Sequence, residues 1–206
     1  MSASIYATDS GVERELIPTG NHVARCFSMV HIGTVQGTFG IQNKVRIGWE
    51  LPEELRVFDQ AKGEQPMVIF QEFSLSMNAK ANLRKMLASW RGKDFSPDEA
   101  KKFDITKLIG VPCMLNIIHK PGIQDPSKTY QTISGVSTVP KSMKVPKQIL
   151  PAQVLSFESW DEEMFQSLPE YLRNKIVVSK EYQELKNPSH VNAVNDFGDN
   201  GSDLPF

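Results

Sequence analysis

The spacing of apolar residues changes twice along the chain, and these changes limit the folds that the sequence can form. Alternation typical of strands gives way to helical spacing between residues 78 and 110 and then returns. Alternation indicates a strand with one buried face, whereas apolar residues three and four apart indicate an amphipathic helix. The sequence therefore predicts five strands, with helices between the third and the fourth. The predicted strands are 22–35, 43–51, 66–77, 111–120 and 128–139.

Local signals set the predicted ends of these elements. Pro52 is predicted to end the second strand, Asn78 to cap the first helix, and Gly92 to end that helix. The segment Ser96-Pro97-Asp98-Glu99 is a capping box with proline at the first helical position, and it opens a second helix. Five strands with a helical insertion after the third is the order of an OB-fold barrel. We therefore predict a mainly β protein with helical additions: a five-stranded OB-fold barrel with helices between strands 3 and 4 and a C-terminal helical extension.

Prolines and shifts in composition divide the chain into four predicted regions. Residues 1–20 are expected to form a flexible arm, and residues 21–140 the barrel domain. Residues 141–186 combine a proline-rich connector with short helices that begin at capping boxes and pack back on the barrel. Residues 187–206 lose hydrophobic periodicity and contain no lysine or arginine, which predicts a disordered acidic tail.

Charge is distributed unevenly along the chain, although the formal net charge is only −1. Residues 1–148 carry 19 Lys and Arg against 14 Asp and Glu, whereas residues 149–206 carry 4 against 10. A basic body joined to an acidic end is typical of nucleic-acid-binding proteins with an interaction tail. A solvated acidic helix would give the same asymmetry. Overall near-neutrality therefore does not exclude a nucleic acid as partner.

The remaining composition argues against membrane, disulfide-rich and metal-dependent classes. No apolar run approaches the roughly 20 residues of a membrane span, and the first residues lack the basic-then-apolar order of a signal peptide. The two cysteines, Cys26 and Cys113, are too few for a disulfide framework and form no CxxC pair. We expect a cytoplasmic protein that needs no membrane, cofactor or metal.

Signatures of catalysis are missing from the sequence. It contains no Gly-rich loop before a Lys-Ser/Thr pair, no His-Glu-x-x-His and no Gly-x-Ser-x-Gly. The carboxylates of 98–99 and 161–163 stand at predicted helix starts, where they stabilise the helix dipole. The sequence therefore predicts a protein that is not an enzyme.

The most specific motif is the acidic segment Asp196-Phe197-Gly198-Asp199, followed by Asp203-Leu204-Pro205-Phe206. A terminal phenylalanine can enter an apolar pocket while its carboxylate and the upstream aspartates meet a basic rim. This segment resembles the tail of bacterial and bacteriophage single-stranded DNA-binding proteins, and the helical insertion makes the phage type the better match. The resemblance implies an OB-fold core that binds single strands and a tail that recruits replication, recombination or repair enzymes, in the bacterial host cytoplasm if the protein is phage-encoded.

For the body, the expected chemistry is base stacking on aromatic rings combined with phosphate contacts from lysine and arginine. Each candidate has a competing interpretation, because strand aromatics are often core residues and basic residues on a helix often form a solvated face. Trp49 and Trp90 are assigned to the core, since each shares a face with aliphatic residues. The predicted DNA-binding residues are Arg25, Phe27, Lys44, Arg46, Phe70, Arg84, Lys85, Arg91, Lys120 and Tyr130.

Sequence-tolerant binding of single-stranded DNA is thus the function we expect, with a tail that recruits partner proteins. Two alternatives stay open. One is a single-strand annealing or recombination mediator protein, and the other is a protein–protein adaptor whose barrel is only a scaffold. Self-association is compatible with all three.

Overall fold

One curled antiparallel sheet of five strands forms the centre of the molecule, in a computed structural model that describes residues 15–37, 40–123 and 125–187. The described part of the chain is mainly β with few helices, as the sequence predicted. The elements are β1 (Gly20–Gly37), β2 (Gly40–Asp59), β3 (Gly63–Ser74), α1 (Asn82–Arg91), α2 (Pro97–Lys102), β4 (Pro112–Pro121), β5 (Thr129–Ser137), β6 (Gln153–Leu155), α3 (Glu162–Ser167), α4 (Glu170–Val177) and α5 (Lys180–Lys186).

The strand β1 lies at the centre of the sheet, whose order is β3-β2-β1-β4-β5. One edge of β1 pairs with β2, while the other pairs first with β4 and then, in parallel, with the short β6. Register shifts at Cys26/Ser28 and His31/Gly33 mark bulges, which bend a strand. Among the described residues no pairing joins β3 to β5, and α1 packs against both. The sheet is therefore a half-barrel with a helix at its open side.

The inner face of this sheet holds the main core, which α1 covers. The rings of Trp49 on β2 and Trp90 on α1 lie with centroids 6.0 Å apart, which confirms that both belong to the core. Cys26 and Cys113 are buried there as free thiols. Burial raises the pKa of Cys26 to about 12, so this thiol stays protonated at neutral pH.

The outer face of β1 is also buried, because the C-terminal segment packs on it. The apolar residues of this second core are Val30, Ile32, Val35, Leu155, Phe165, Leu168, Leu172 and Ile176. Before reaching β6, the connector is fixed by the buried Glu50, whose carboxylate accepts hydrogen bonds from the N–H groups of Ile149 (2.8 Å) and Leu150 (2.6 Å). The helical extension is therefore a layer of the same fold.

Several predicted boundaries are wrong. Pro52 does not end the second strand, since β2 continues to Asp59 past an irregularity in its pairing with β3. The third strand ends at Ser74. Asn78 does not cap the first helix, which begins at Asn82 with Ala81 in the N-cap position. The Asn78 side chain instead accepts a hydrogen bond from the Lys80 N–H in a turn before the helix.

Two predicted irregular segments contain ordered contacts. At the end of the predicted arm, Ile17 is fully buried; its N–H donates to Gln131 Oε1 (2.8 Å) and its carbonyl accepts from His119 Nε2 (2.7 Å). In the predicted extended connector, Gln153–Leu155 pairs with β1 as β6. Both contacts join residues more than a hundred positions apart, so local sequence does not reveal them.

Candidate nucleic-acid interface

The outer face of β2 and β3 brings together four of the predicted DNA-binding residues. Lys44 and Arg46 lie on β2, alternating with the inward residues of the core, and Phe70 lies on β3 opposite Gly48. Phe27, in a bulge of β1, is buried next to Phe70, with ring centroids 5.8 Å apart and planes at 62°. We call Phe27, Lys44, Arg46 and Phe70 the outer cluster.

Arg46 is the centre of this cluster. Its Cζ lies 3.7 Å from the centroid of the Phe70 ring, so the guanidinium is stacked on the aromatic face. A cation placed over a ring in this way is attracted by the ring quadrupole. The stack therefore holds a normally flexible side chain in one orientation.

The guanidinium of Arg46 has no hydrogen-bond or ion-pair partner among the described residues. Glu72, its neighbour across the β2–β3 ladder, is instead paired with Lys175 of α4 at 2.6 and 2.8 Å. Burial lowers the pKa of the Arg46 guanidinium, while Tyr171 and Glu72 act in the opposite direction. Arginine stays charged at neutral pH. The cluster thus presents a half-buried positive charge whose N–H donors meet no acceptor in the described part of the chain.

A glycine makes room for the stack. A Cβ at Gly48 would lie 2.6 Å from Cδ1 of Phe70 and 3.0 Å from Cβ of Ser28. Real Cβ atoms do not approach ring carbons so closely. Any side chain at this position would therefore push the Phe70 ring away from β2.

Replacing Gly48 by alanine is expected to lower the free energy of unfolding by about 1–3 kcal/mol, because overpacking displaces Phe70. Urea unfolding measures the change. The matched control is Gly135→Ala on β5, where the nearest atom to a new Cβ is 3.9 Å away. This control is expected to stay within about 0.5 kcal/mol of the wild type. Equal effects of the two substitutions would contradict a tight approach at Gly48.

Lys44 continues the positive surface toward α1. With Lys80 it lines a polar groove of about 440 Å³ between the end of β3 and the start of α1. The first turn of α1 contains no acidic residue. Lys44 and Lys80 therefore lie on either side of the outer end of β3, with Glu72 also lining the groove.

Lys120 and Tyr130 form a second group, on the hairpin of β4 and β5. They stand directly opposite each other in the ladder, and the Tyr130 side chain is 53% exposed. A Cβ at Gly122 would lie 2.6 Å from Cε2 of Tyr130, so the ring rests across the turn. This group belongs to the other side of β1 from the outer cluster.

Two of the predicted arginines, Arg25 and Arg84, are engaged within the protein. Arg25 donates to the carbonyls of Pro146 and Gly110, both at 2.6 Å, and so holds the connector. Arg84 pairs with Asp94 (3.1 and 3.3 Å) and lowers the pKa of that carboxyl. Their contacts give these side chains a structural role.

Arg91 and Lys85 complete the predicted set on α1. Arg91 pairs with Glu99 at 2.9 Å, and its Cζ lies 4.3 Å from the ring centroid of Phe95. Lys85 is exposed. Neither lies in the outer cluster, so α1 contributes no residue to that cluster.

Sequence reasoning missed the contribution of α4. Tyr171 of this helix is 58% exposed and lies beside Arg46, whose Cζ is 5.8 Å from the Tyr171 ring centroid. The sequence contains one local signal that could have indicated this contribution: Tyr171 and Lys175 are four residues apart, which places them on one side of a helix.

The chain matches no family model and no curated protein. The predicted tail residues 196–206 lie outside the described residues. Within the described ranges, no helix is long and apolar enough to cross a membrane, and no three His, Cys, Asp or Glu side chains are grouped to hold a metal ion.

Proposed function

We propose that the protein binds single-stranded DNA without strong sequence preference, through the outer cluster of β2 and β3. The observation that carries this proposal is the Arg46 guanidinium, stacked on Phe70 and free of any acceptor among the described residues. A guanidinium held in this way offers a flat surface to a nucleobase and N–H donors to a phosphate. Aromatic and cationic groups together are what sequence-tolerant binding to single strands requires.

The architecture supports the same proposal. Five strands in the order β3-β2-β1-β4-β5, with helices after β3, fit an OB-type barrel. Such barrels bind oligonucleotides on the face of their second and third strands and with the loop between the fourth and fifth. The outer cluster occupies the first of these places, and the Lys120–Tyr130 pair lies beside the second.

A cellular role in DNA replication, recombination or repair follows as part of the proposal, with no catalytic step. Its support is the resemblance of residues 196–206 to partner-recruiting tails, together with the acidic charge of that segment. Such a segment would recruit other proteins while the outer cluster holds DNA.

Titration with poly(dT) at several salt concentrations tests the binding. For single strands, the logarithm of affinity falls with that of salt concentration by about 0.7 per phosphate contact. Arg46→Gln is expected to reduce this slope by about 0.7 and to weaken binding roughly tenfold, since a charged hydrogen bond is lost.

The control for this variant is Lys102→Gln, which removes the same charge from an exposed position on α2. It is expected to leave slope and affinity near their wild-type values. If the fluorescence anisotropy of a dye-labelled oligo(dT) shows no salt-sensitive binding to the wild type, the proposed function is wrong. Faster pairing of complementary oligonucleotides would instead favour an annealing protein.

A further inference from the structure

An exposed aromatic ring from a distant part of the chain stands next to the outer cluster. Tyr171 lies in the first turn of α4, and more than half of its side chain is open to solvent. Its ring centroid is 5.8 Å from Cζ of Arg46. Among the described residues, the only other aromatic ring next to this guanidinium is that of Phe70. The cation of the outer cluster therefore has aromatic neighbours from both the sheet and the helical extension.

The position of Tyr171 is fixed from two sides of α4. Leu172 and Ile176, fully buried in the second core, anchor the helix on the outer face of β1. Lys175, one turn after Tyr171, binds both carboxylate oxygens of Glu72 on β3. Exposed side chains usually pay an entropy cost when a ligand orders them. Here the backbone beneath Tyr171 is already held, which reduces that cost.

The same ion pair also affects the surroundings of Arg46. Glu72 is the acidic neighbour of Arg46 in the β2–β3 ladder, and Lys175 neutralises it. Because Lys175 engages this carboxylate, Glu72 offsets less of the positive charge of the Arg46 guanidinium. The helical extension thus adds an aromatic surface and also pairs with the acidic neighbour of the cation.

We infer that Tyr171 is a further DNA contact of the outer cluster: a nucleobase stacks on its exposed ring while the adjacent phosphate meets Arg46. This inference rests on the proposed function. It makes the C-terminal extension part of the binding site, so the single strand runs along the border between α4 and the β2–β3 face.

The test compares the affinities of three Tyr171 variants for an oligo(dT). Tyr171→Ala is expected to weaken binding roughly five- to a hundredfold, the range for losing one stacked base. Tyr171→Phe and Tyr171→Trp keep a ring and are expected to bind within about threefold of the wild type. Because the ring is exposed, none of the three is expected to change the thermal midpoint of unfolding appreciably.

The control variant is Val178→Ala, which trims another exposed apolar side chain of the extension, at the end of α4. It is expected to bind like the wild type. Photocross-linking of an oligonucleotide carrying 5-iododeoxyuridine, followed by peptide mapping, is expected to mark Tyr171 in the wild type.

Failure of this inference can be told apart from failure of the proposed function. If wild type binds and Arg46→Gln weakens binding, but Tyr171→Ala binds equally well, only the role of Tyr171 is wrong. Tighter binding by Tyr171→Ala would also overturn it, since α4 would then obstruct the site. If the wild type binds no oligonucleotide, both proposals fall.

Discussion

Leu172→Ala is expected to lower the free energy of unfolding by roughly 2–5 kcal/mol, the range for truncating a buried leucine. Leu172 lies on α4, and its side chain is fully buried against the apolar residues of β1. The cavity left by truncation would therefore lie within the second core. For a chain of this size, each kcal/mol changes the thermal midpoint by roughly 2–4 °C. Thermal and urea unfolding therefore measure whether the extension belongs to the folded body.

The matched control is again Val178→Ala, because Val178 is 69% exposed and follows directly after α4. It is expected to change stability by less than about 0.5 kcal/mol. Hydrogen exchange adds a local measurement: in Leu172→Ala the amides of α3–α5 should exchange faster, and those of the inner core less so. A Leu172→Ala protein as stable as the control would mean that the extension is not packed on β1.

The strands were predictable because alternation is a local property of the sequence. The five-strand order and the helical insertion were found from segments of about ten residues each. The sequence also predicts that the C-terminal helices pack on the barrel, but two long-range details were not predicted: the pairing of β6 with β1, and the choice of the outer face of β1 as the surface that α4 covers. Both depend on contacts between residues more than a hundred positions apart, for which a single sequence carries no periodic signal.

In the candidate site, too, some features could be predicted from the sequence and others could not. Arg46 and Phe70 could be proposed because each alternates with core residues on its strand, which places it on the opposite face. Arg25 and Arg84 carry the same charge, but their guanidinium groups are engaged by carbonyls and a carboxylate of the protein. Residue type identifies a possible phosphate ligand, whereas only its surroundings determine whether its donors are free.

Phe70→Ala is expected to weaken binding to poly(dT) roughly two- to thirtyfold, the range for losing the cation–π contact that orients Arg46. The substitution deletes the ring on which Arg46 is stacked and the edge-to-face partner of Phe27. It removes no charge. We therefore expect the salt dependence of binding to keep its wild-type slope, in contrast to Arg46→Gln, where both slope and affinity fall.

The difference between the two variants separates stacking from charge at one site. Phe58→Ala is the matched control, because Phe58 is an exposed phenylalanine of β2 outside the outer cluster. It is expected to retain both affinity and slope. Phe70 is only half-buried, so urea unfolding of Phe70→Ala establishes that the variant is folded before its affinity is compared. If folded Phe70→Ala binds as tightly as the wild type, the outer cluster is not a stacking site. Any binding would then have to be assigned to another surface, with the Lys120–Tyr130 pair the first to examine.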